Sequence, residues 1–392
     1  MSTKPRIMLV GQWPPTTGGV TTFMLNVVSS PLREKFHFLR FNTSRPVKKN
    51  VTDNYGYGAM FNGGIGRLLI GIAVTIWHIV SFPFVVVGRR THIVQIQASD
   101  FQTFWESALY ALMSRALGRP VIMRLGGSFD YFYQVSSPRA QRLIRRILHI
   151  PDQLIVQSAY WQGFVKRLGR AEKIIILPNW VPDALTQRTA RPERQAPVCL
   201  FSAGTEAVRK GVDEVFGAMQ ILKSAGIEVR FRLVAAAPRV RERLVSENVD
   251  DLAEAEGYVD HERLLSIMRE TDIFLLPSRG EGFPNSLIEA MASGMACIAT
   301  PVGAVPEIVG TNGALIVPMR DAAALADAIK MLVENKQLRE QIAENGRTIV
   351  RERYVASAVL QILEDTWNSM VSRTAVPRSS ARPKAYKERA SS

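Results

Sequence analysis

Short apolar runs recur along the chain and alternate with longer stretches whose apolar residues repeat at helical spacing. Residues 7–10, 93–96, 121–125, 153–156 and 174–177 form such runs, too short for helices and poor in polar positions, as strands buried on both faces are. Strands of that kind alternating with helical segments predict a parallel sheet covered by helices. The alternation then stops: Pro178, Pro182, Arg191-Pro192 and Pro197 bracket a polar stretch, and the pattern resumes at Val198-Cys199-Leu200-Phe201. A second series follows at 231–235, 255–259, 273–276, 296–299 and 314–317. The pattern predicts two α/β units, 1–182 and 198–355, joined by a hinge at 183–197. A helical pattern at 356–372 follows, and residues 373–392 have no period and are expected to be disordered.

One stretch competes with that picture. The twenty residues 68–87 contain no Asp, Glu, Lys or Arg and are flanked by Arg67 and by Arg89-Arg90. About 20 apolar residues suffice to cross a bilayer. Thr75, His78 and Ser81 are polar, however, and Pro83 is expected to interrupt the helix. A crossing would also put the runs at 7–10 and 93–96, which belong to one sheet, on opposite sides of the membrane. The sequence favours an apolar helix packed on the sheet, ahead of a helix dipping into one leaflet and of a true span.

Composition sharpens the reading. At about 150 residues per domain, a chain of 392 holds two or three domains, and 47% hydrophobic against 21% charged residues makes them globular. Lys and Arg number 49 against 35 Asp and Glu, a net charge of +14, which points to nucleic acid, a membrane surface or a phosphorylated ligand. Six basic residues and one acid in 373–392 carry five of those charges, leaving the body near +9. No nucleic-acid-binding motif is recognised and the basic residues are spread over helices, so no nucleic-acid partner is expected. The two cysteines, Cys199 and Cys297, are too few for a disulfide framework or a tetrahedral metal site, and read as buried thiols of a cytosolic protein. No secretory signal is evident at the N-terminus.

Three segments carry chemistry. Gly18-Gly19 lies directly after the first strand and before a helical stretch. Glycines there let backbone N–H groups approach an anion beside a positive helix end, which suits a diphosphate; a tight βα turn uses the same residues. In Arg209-Lys210-Gly211, ahead of a helix at 212, Lys210 can set a point charge and Arg209 a forked donor on phosphate, or both can be solvated residues of a helix start. The third segment is Glu281-Gly282-Phe283-Pro284-Asn285-Ser286-Leu287-Ile288-Glu289, after the run at 273–276 and the Pro277-Ser278 turn. Glu281 should sit in the loop at the strand's carboxyl end, where ligands of such folds bind, and Glu289 about one turn inside the next helix. Two carboxylates beside a phosphate site make sense as hydroxyl ligands, one for a sugar and one for a ribose.

The stretch 273–309, with its Glu-x7-Glu pair, Glu289-Ala290-Met291-Ala292-Ser293-Gly294 and Pro301-Val302-Gly303-Ala304-Val305-Pro306-Glu307-Ile308-Val309, resembles the family 4 retaining glycosyltransferases. The resemblance extends in order through Gly18-Gly19, Ser158, Leu177-Pro178-Asn179, Lys210-Gly211 and Asp272-Ile273, and leaves out the tail. It implies a GT-B fold, two Rossmann-like doubly wound domains facing across a cleft with a C-terminal helix crossing back to the first. It further implies that Glu281 contacts the donor sugar and stabilises its developing positive charge. The Gly282, Phe283, Pro284, Asn285 and Ser286 turn would bind sugar and phosphate through its backbone, Glu289 the ribose, Lys210 the diphosphate, and Gly18 and Gly19 would close over the phosphates, with Arg209 as a further donor. The turn at Arg124, Gly126 and Gly127 would lie on the acceptor and sugar side. The implied reaction moves a sugar from a nucleoside diphosphate sugar, of UDP or GDP type, to a hydroxyl with retention, without metal or cofactor.

Two departures stand out: Leu125 or Gly126 where relatives carry a histidine, and Thr205 where relatives carry arginine after the glycine equivalent to Gly204. They keep open a sugar-nucleotide-binding protein without transferase activity; an epimerase of the same fold is a separate alternative whose own motif pattern is not visible in the sequence. The apolar 68–87 stretch, Arg139, Arg142, Arg145 and Arg146, and the aromatics Phe101, Phe104, Trp105, Phe129, Tyr131, Phe132 and Tyr133 all fall in the acceptor-side half. Aromatic and basic groups together suit an anionic lipid surface. The expectation is a peripheral enzyme at the inner face of the cell membrane, extending a saccharide or lipid-linked acceptor for a cell-surface polysaccharide.

Overall fold

A computed structural model describes residues 4–14, 16, 18–44, 64–99, 101–127, 129–188, 196–202, 208–236 and 238–375. Residues 376–392 of the tail, the Gly204-Thr205 departure and residues 189–195 of the hinge lie outside the described residues, while 373–375, expected to belong to the tail, continue the last helix. Six parallel strands form the first sheet: β1 (Arg6–Gly11), β2 (His37–Asn42), β3 (Ile93–Ala98), β4 (Val121–Leu125), β5 (Gln153–Val156) and β6 (Ile174–Ile176), in the order β2-β1-β3-β4-β5-β6. Its helices are α1 (Gly19–Ser29), α2 (Gly64–Gly88), α3 (Phe101–Ala116), α4 (Phe129–Val135), α5 (Pro138–Ile147) and α6 (Ala159–Arg167). The second sheet, in the order β12-β11-β10-β7-β8-β9, holds β7 (Val198–Ser202), β8 (Arg230–Val234), β9 (Ala253–Ala255), β10 (Ile273–Leu276), β11 (Ala296–Ala299) and β12 (Leu315–Ile316). With it go α7 (Val212–Ser224), α8 (Pro238–Ser246), α9 (His261–Glu270), α10 (Asn285–Ala292), α11 (Val305–Val309), α12 (Ala322–Glu334), α13 (Lys336–Arg353) and α14 (Ala356–Ala375).

In each sheet the strand order reverses beside the first strand, between β1 and β3 and between β7 and β10. Crevices for ligands open at such switch points, beyond the carboxyl ends of the strands. The loops after β1, β7 and β10 carry Gly18-Gly19, Arg209-Lys210 and Glu281, so all three chemical segments emerge at those edges.

The sequence pattern missed β2, whose Leu39 and Phe41 are buried while His37, Arg40 and Asn42 are exposed. It is an edge strand with one wet face, so it lacks the continuous apolar run of its neighbours. The run expected at 255–259 is displaced: β9 is Ala253–Ala255. Pro83 does not interrupt α2, which continues through it to Gly88. One missing helical bond and a ring clash cost about 3 kcal/mol, an amount that burial of the adjacent Phe82 and of Val86 offsets. Nor is α2 wholly a packed core helix: Ile76, Trp77 and Phe84 are 56%, 69% and 75% exposed. Cys199 and Cys297 are both buried.

The chain passes between the domains twice, and the two crossings are joined. The Val181 N–H donates to the Tyr354 carbonyl at 2.9 Å, and the Ala356 N–H to the Val181 carbonyl at 3.0 Å. Beyond this bridge α14 enters the core under the first sheet, where Leu363, Trp367 and Met370 pack with Ile7 and Leu9. The Trp367 indole N–H donates to Gln95 Oε1 at 2.7 Å, and Glu364 pairs with Lys35 at 2.7 Å.

Candidate functional site

The loops after β7, β10 and β11 interlock because glycines admit close backbone approach. Gly211 has φ +84°, and a Cβ there would lie 2.2 Å from the Pro277 carbonyl oxygen, so only glycine fits. A Cβ on Gly303 would lie 1.9 Å from the Glu281 carbonyl oxygen. Lys210 and Glu281 are thereby brought together: Lys210 Nζ lies 2.7 Å from Glu281 Oε1, and Ser278 Oγ donates to the same oxygen at 2.8 Å. The Arg209 guanidinium lies 4.0 Å from Glu281 Oε2 and donates to the Gly280 carbonyl.

Glu281 is 8% exposed. Burial alone would push its carboxyl up, but the charges of Lys210 and Arg209 and the bonds from Lys210 and Ser278 outweigh burial and hold it below the usual range. The result is a fixed carboxylate at the mouth of β10. Expected on sugar and on diphosphate respectively, Glu281 and Lys210 here hold each other.

Glu289, on α10, is also buried, and its Oε1 lies 3.1 Å from His261 Nε2 at the start of α9. The hydrogen bond to Glu289 raises His261 above its ordinary value, against burial and with help from Asp260 and Glu262. Glu289 and Asn285 line a small pocket with Thr22, Phe23, Asn26, Asn179 and Trp180 of the first domain. Gly18 has φ +133°, and a Cβ on Gly19 would lie 3.7 Å from the Asn285 amide nitrogen. The N-termini of α1 and α10 therefore adjoin, and anions are favoured at such ends. Pro284 caps α10 and Ser286 lies in its first turn, while the Phe283 ring turns into the core against Tyr354, 5.8 Å between centroids.

On the other side of the cleft Arg124 is 2% exposed. Its guanidinium donates to Asn179 Oδ1, reaches Gln97 Oε1 at 3.4 Å and stacks 3.9 Å from the Phe23 ring centre. It is a buried strut in place of an open acceptor contact. Gly126 donates its N–H to the Ala98 carbonyl at 2.8 Å, and Gly127 abuts Gly282 of the second domain. Asn179 Nδ2 donates to Asn285 Oδ1 across the cleft, and the Trp161 indole N–H donates to the Gly282 carbonyl at 2.8 Å. Glu307 Oε2 accepts from the Ala159 and Tyr160 N–H groups at 2.8 and 3.3 Å.

Of the residues singled out from sequence, Lys210, Arg209 and Glu281 form one cluster, and Gly19, Asn285 and Glu289 a second beside it. Sequence reasoning missed His261. Asp260 before it reads as a helix cap, but nothing local points to Glu289, which lies 28 residues on. Among the described residues no group of three or more His, Cys, Asp or Glu side chains could hold a metal ion.

Residues 196–335 match the family model described as Glycosyl transferases group 1. WcaL of Escherichia coli (strain K12), whose name gives it provisionally as a colanic acid biosynthesis glycosyltransferase, is 27% identical over 248 residues. That alignment covers 58% of this chain and 60% of the relative's length. Sucrose-phosphate synthase from Thermosynechococcus elongatus superposes with a TM-score of 0.74 at 19% identity, over 94% of this chain and 100% of the other. Anabaena Alr3699/HepE, solved in complex with UDP-glucose, superposes with a TM-score of 0.70 at 14% identity, over 93% and 99%. These likenesses identify the two-sheet architecture as the GT-B fold.

Proposed function

The chain belongs to the GT-B glycosyltransferases, and on that premise we propose that it moves a sugar from a nucleoside diphosphate sugar to a saccharide hydroxyl with retention at the anomeric carbon. The observation that carries this reading is the Glu281 carboxylate, kept ionised by Lys210 and Ser278 at the carboxyl edge of β10. A diphosphate over the N-termini of α1 and α10 competes for Lys210 and Arg209. Glu281 is then released toward the donor sugar, whose anomeric carbon becomes cationic as the leaving group departs. The cations and the helix ends stabilise the leaving diphosphate without a metal ion. Glu289, oriented by His261, takes the ribose hydroxyls.

HepE's complex with UDP-glucose favours a UDP sugar as donor, and the name of WcaL favours an acceptor in cell-surface polysaccharide synthesis. A thermal-shift panel of UDP, GDP and their sugars tests the donor, since a ligand of the native state raises its apparent stability. Stabilisation by one nucleotide class and an axial anomeric product by NMR from an axial donor support the reading; an inverted product overturns it.

Support for a lipid-linked acceptor comes from the surface of the first domain. Residues 69–88 have a mean hydropathy of 2.2. Besides the exposed α2 residues, Leu109 and Leu112 of α3 are 43% and 50% exposed. On the same face of the sheet, α5 carries Arg139, Arg142, Arg145 and Arg146, all exposed. An apolar strip beside a basic helix matches an anionic leaflet, with α2 lying in it and the helices following the headgroups. Flotation with phosphatidylglycerol vesicles at physiological salt, lost in Trp77→Ser/Phe84→Ser, is the expected outcome. Equal recovery with neutral vesicles, or none with either, overturns the membrane attachment and leaves the transferase standing.

A further inference from the structure

The loop that carries Glu281 is anchored from both domains. Within its own domain the Glu281 carboxylate is held by Lys210 and Ser278, and its peptide oxygen lies under Gly303. From the other domain the Trp161 indole N–H donates to the Gly282 carbonyl at 2.8 Å. Among the described residues that oxygen otherwise receives a longer bond, 3.3 Å, from the Ala304 N–H. A Cβ on Gly282 would be 2.4 Å from the Gly127 carbonyl oxygen, so the loop and the first domain touch at backbone distance.

Trp161 is itself fixed. It is 4% exposed, meets Tyr160 and Phe164 edge-on at 5.2 and 5.8 Å, and sits in the first turn of α6. The free N–H groups of that turn are taken by Glu307 of the second domain. Helix α6 thus grips the domain that grips it. An indole has a single N–H to donate, and Gly282 lacks the side chain that would otherwise restrict its peptide. When an entering diphosphate draws Lys210 away from Glu281, the Trp161 bond is the short contact left on the peptide next to the carboxylate.

We propose that Trp161 is a positioning residue, holding the Gly282 peptide so that Glu281 keeps its reacting geometry only while α6 is docked and the cleft is closed. The proposal rests on the transferase reading for its meaning, but its test does not need turnover. Trp161→Phe keeps the buried ring and removes the N–H. Hydrogen–deuterium exchange of the Gly282, Phe283 and Asn285 amides is expected to rise about three- to tenfold, as for loss of one hydrogen bond, with α6 and β10 unchanged. Where a donor is turned over, kcat falls by a similar factor while the donor KM stays within about twofold, because Lys210, Arg209, Glu289 and the N-terminus of α1, which take the diphosphate and ribose, are untouched by the substitution.

Glu307→Gln, which loosens α6 with Trp161 intact, is expected to raise exchange in the same amides by a smaller factor. Unchanged exchange at 282, 283 and 285 in both variants overturns the proposal, as does a rise spread evenly over α6 and the loop, which marks a merely structural contact. If the wild type turns over no nucleotide sugar, the transferase reading fails while the exchange result still decides whether Trp161 orders the loop.

Discussion

Glu281 and Arg124 are both buried charges close to the carboxyl edges of their sheets, and the protein treats them in opposite ways. Glu281 has cations beside it, with Lys210 at 2.7 Å and Arg209 at 4.0 Å. Arg124 has only neutral partners, Gln97, Asn179 and the Phe23 ring, and its Nε has no partner among the described residues. Burial pushes the Arg124 guanidinium down to about 9, which still leaves a cation at neutral pH. A compensated charge can trade its partner for a ligand, as Lys210 can turn from a carboxylate to a diphosphate. A cation held by dipoles has nothing to trade. Its use lies in fixing Asn179, which bonds Asn285 across the cleft.

The largest expected effect separates chemistry from binding on the Glu281 side. Glu281→Gln should lower transfer by about 10²- to 10³-fold, the usual cost of losing a preorganised charge at the reacting centre. UDP affinity by calorimetry should stay level or rise, because Lys210 is freed; an equal loss of affinity would break the assignment. Next in size is the contrast between the two cations. Lys210→Met leaves a buried carboxylate short of its main partner and should cost about 3 kcal/mol in denaturant unfolding, the low end for such pairs because Lys210 is 23% exposed. Arg124→Met removes a charge that no acid compensates, so the cost should be about 1–2 kcal/mol, from amides left unpaired. If Arg124→Met proves the more costly, the distinction between the two charges collapses.

Glycines sharpen the same contrast. Gly211→Ala forces a positive φ and a 2.2 Å clash, and should cost about 2–3 kcal/mol while raising the donor KM. Gly126→Ala meets its nearest atom at an ordinary 3.8 Å and should change stability by less than about 0.5 kcal/mol. The smallest effect concerns pH. His261 is raised by Glu289, so its stabilisation is fully present below the unfolded value near 6.5 and fades as pH rises through the higher folded value. The Glu281 carboxyl is lowered, so its contribution is present above its ordinary 4.5 and fades as pH falls through the lower folded value. His261→Ala should therefore be destabilised relative to wild type at pH 6 and converge with it above the raised value, in paired denaturation curves.

The sequence was most legible where function is local. Gly18-Gly19, Lys210-Gly211 and the Glu281–Glu289 segment follow strand, turn and helix signals that can be read within a dozen residues, and the loops carrying them all emerge at the expected sheet edges. Both sheets were readable because strands buried on two faces form continuous apolar runs; β2, wet on one face, was not. Contacts between distant parts left no such trace. Trp161 to Gly282 spans 121 residues and Asn179 to Asn285 spans 106, and periodicity carries no information at that range. The family resemblance put Arg124 on the acceptor and sugar side; only packing shows that the Phe23 ring and Asn179 enclose it. The exposed flank of α2 was hidden for the opposite reason, since its composition is that of a core helix.

The bridge between Val181 and Val355 ties the two interdomain crossings to one another. A body attached along one edge by two joined pins can swing but can scarcely twist or slide. Relative motion of the domains is reduced to a single angle, and the bonds that Trp161, Asn179 and Glu307 make across the cleft must form or break together. One number, the opening angle, then reports the state of every bond on the Glu281 loop that comes from the far side.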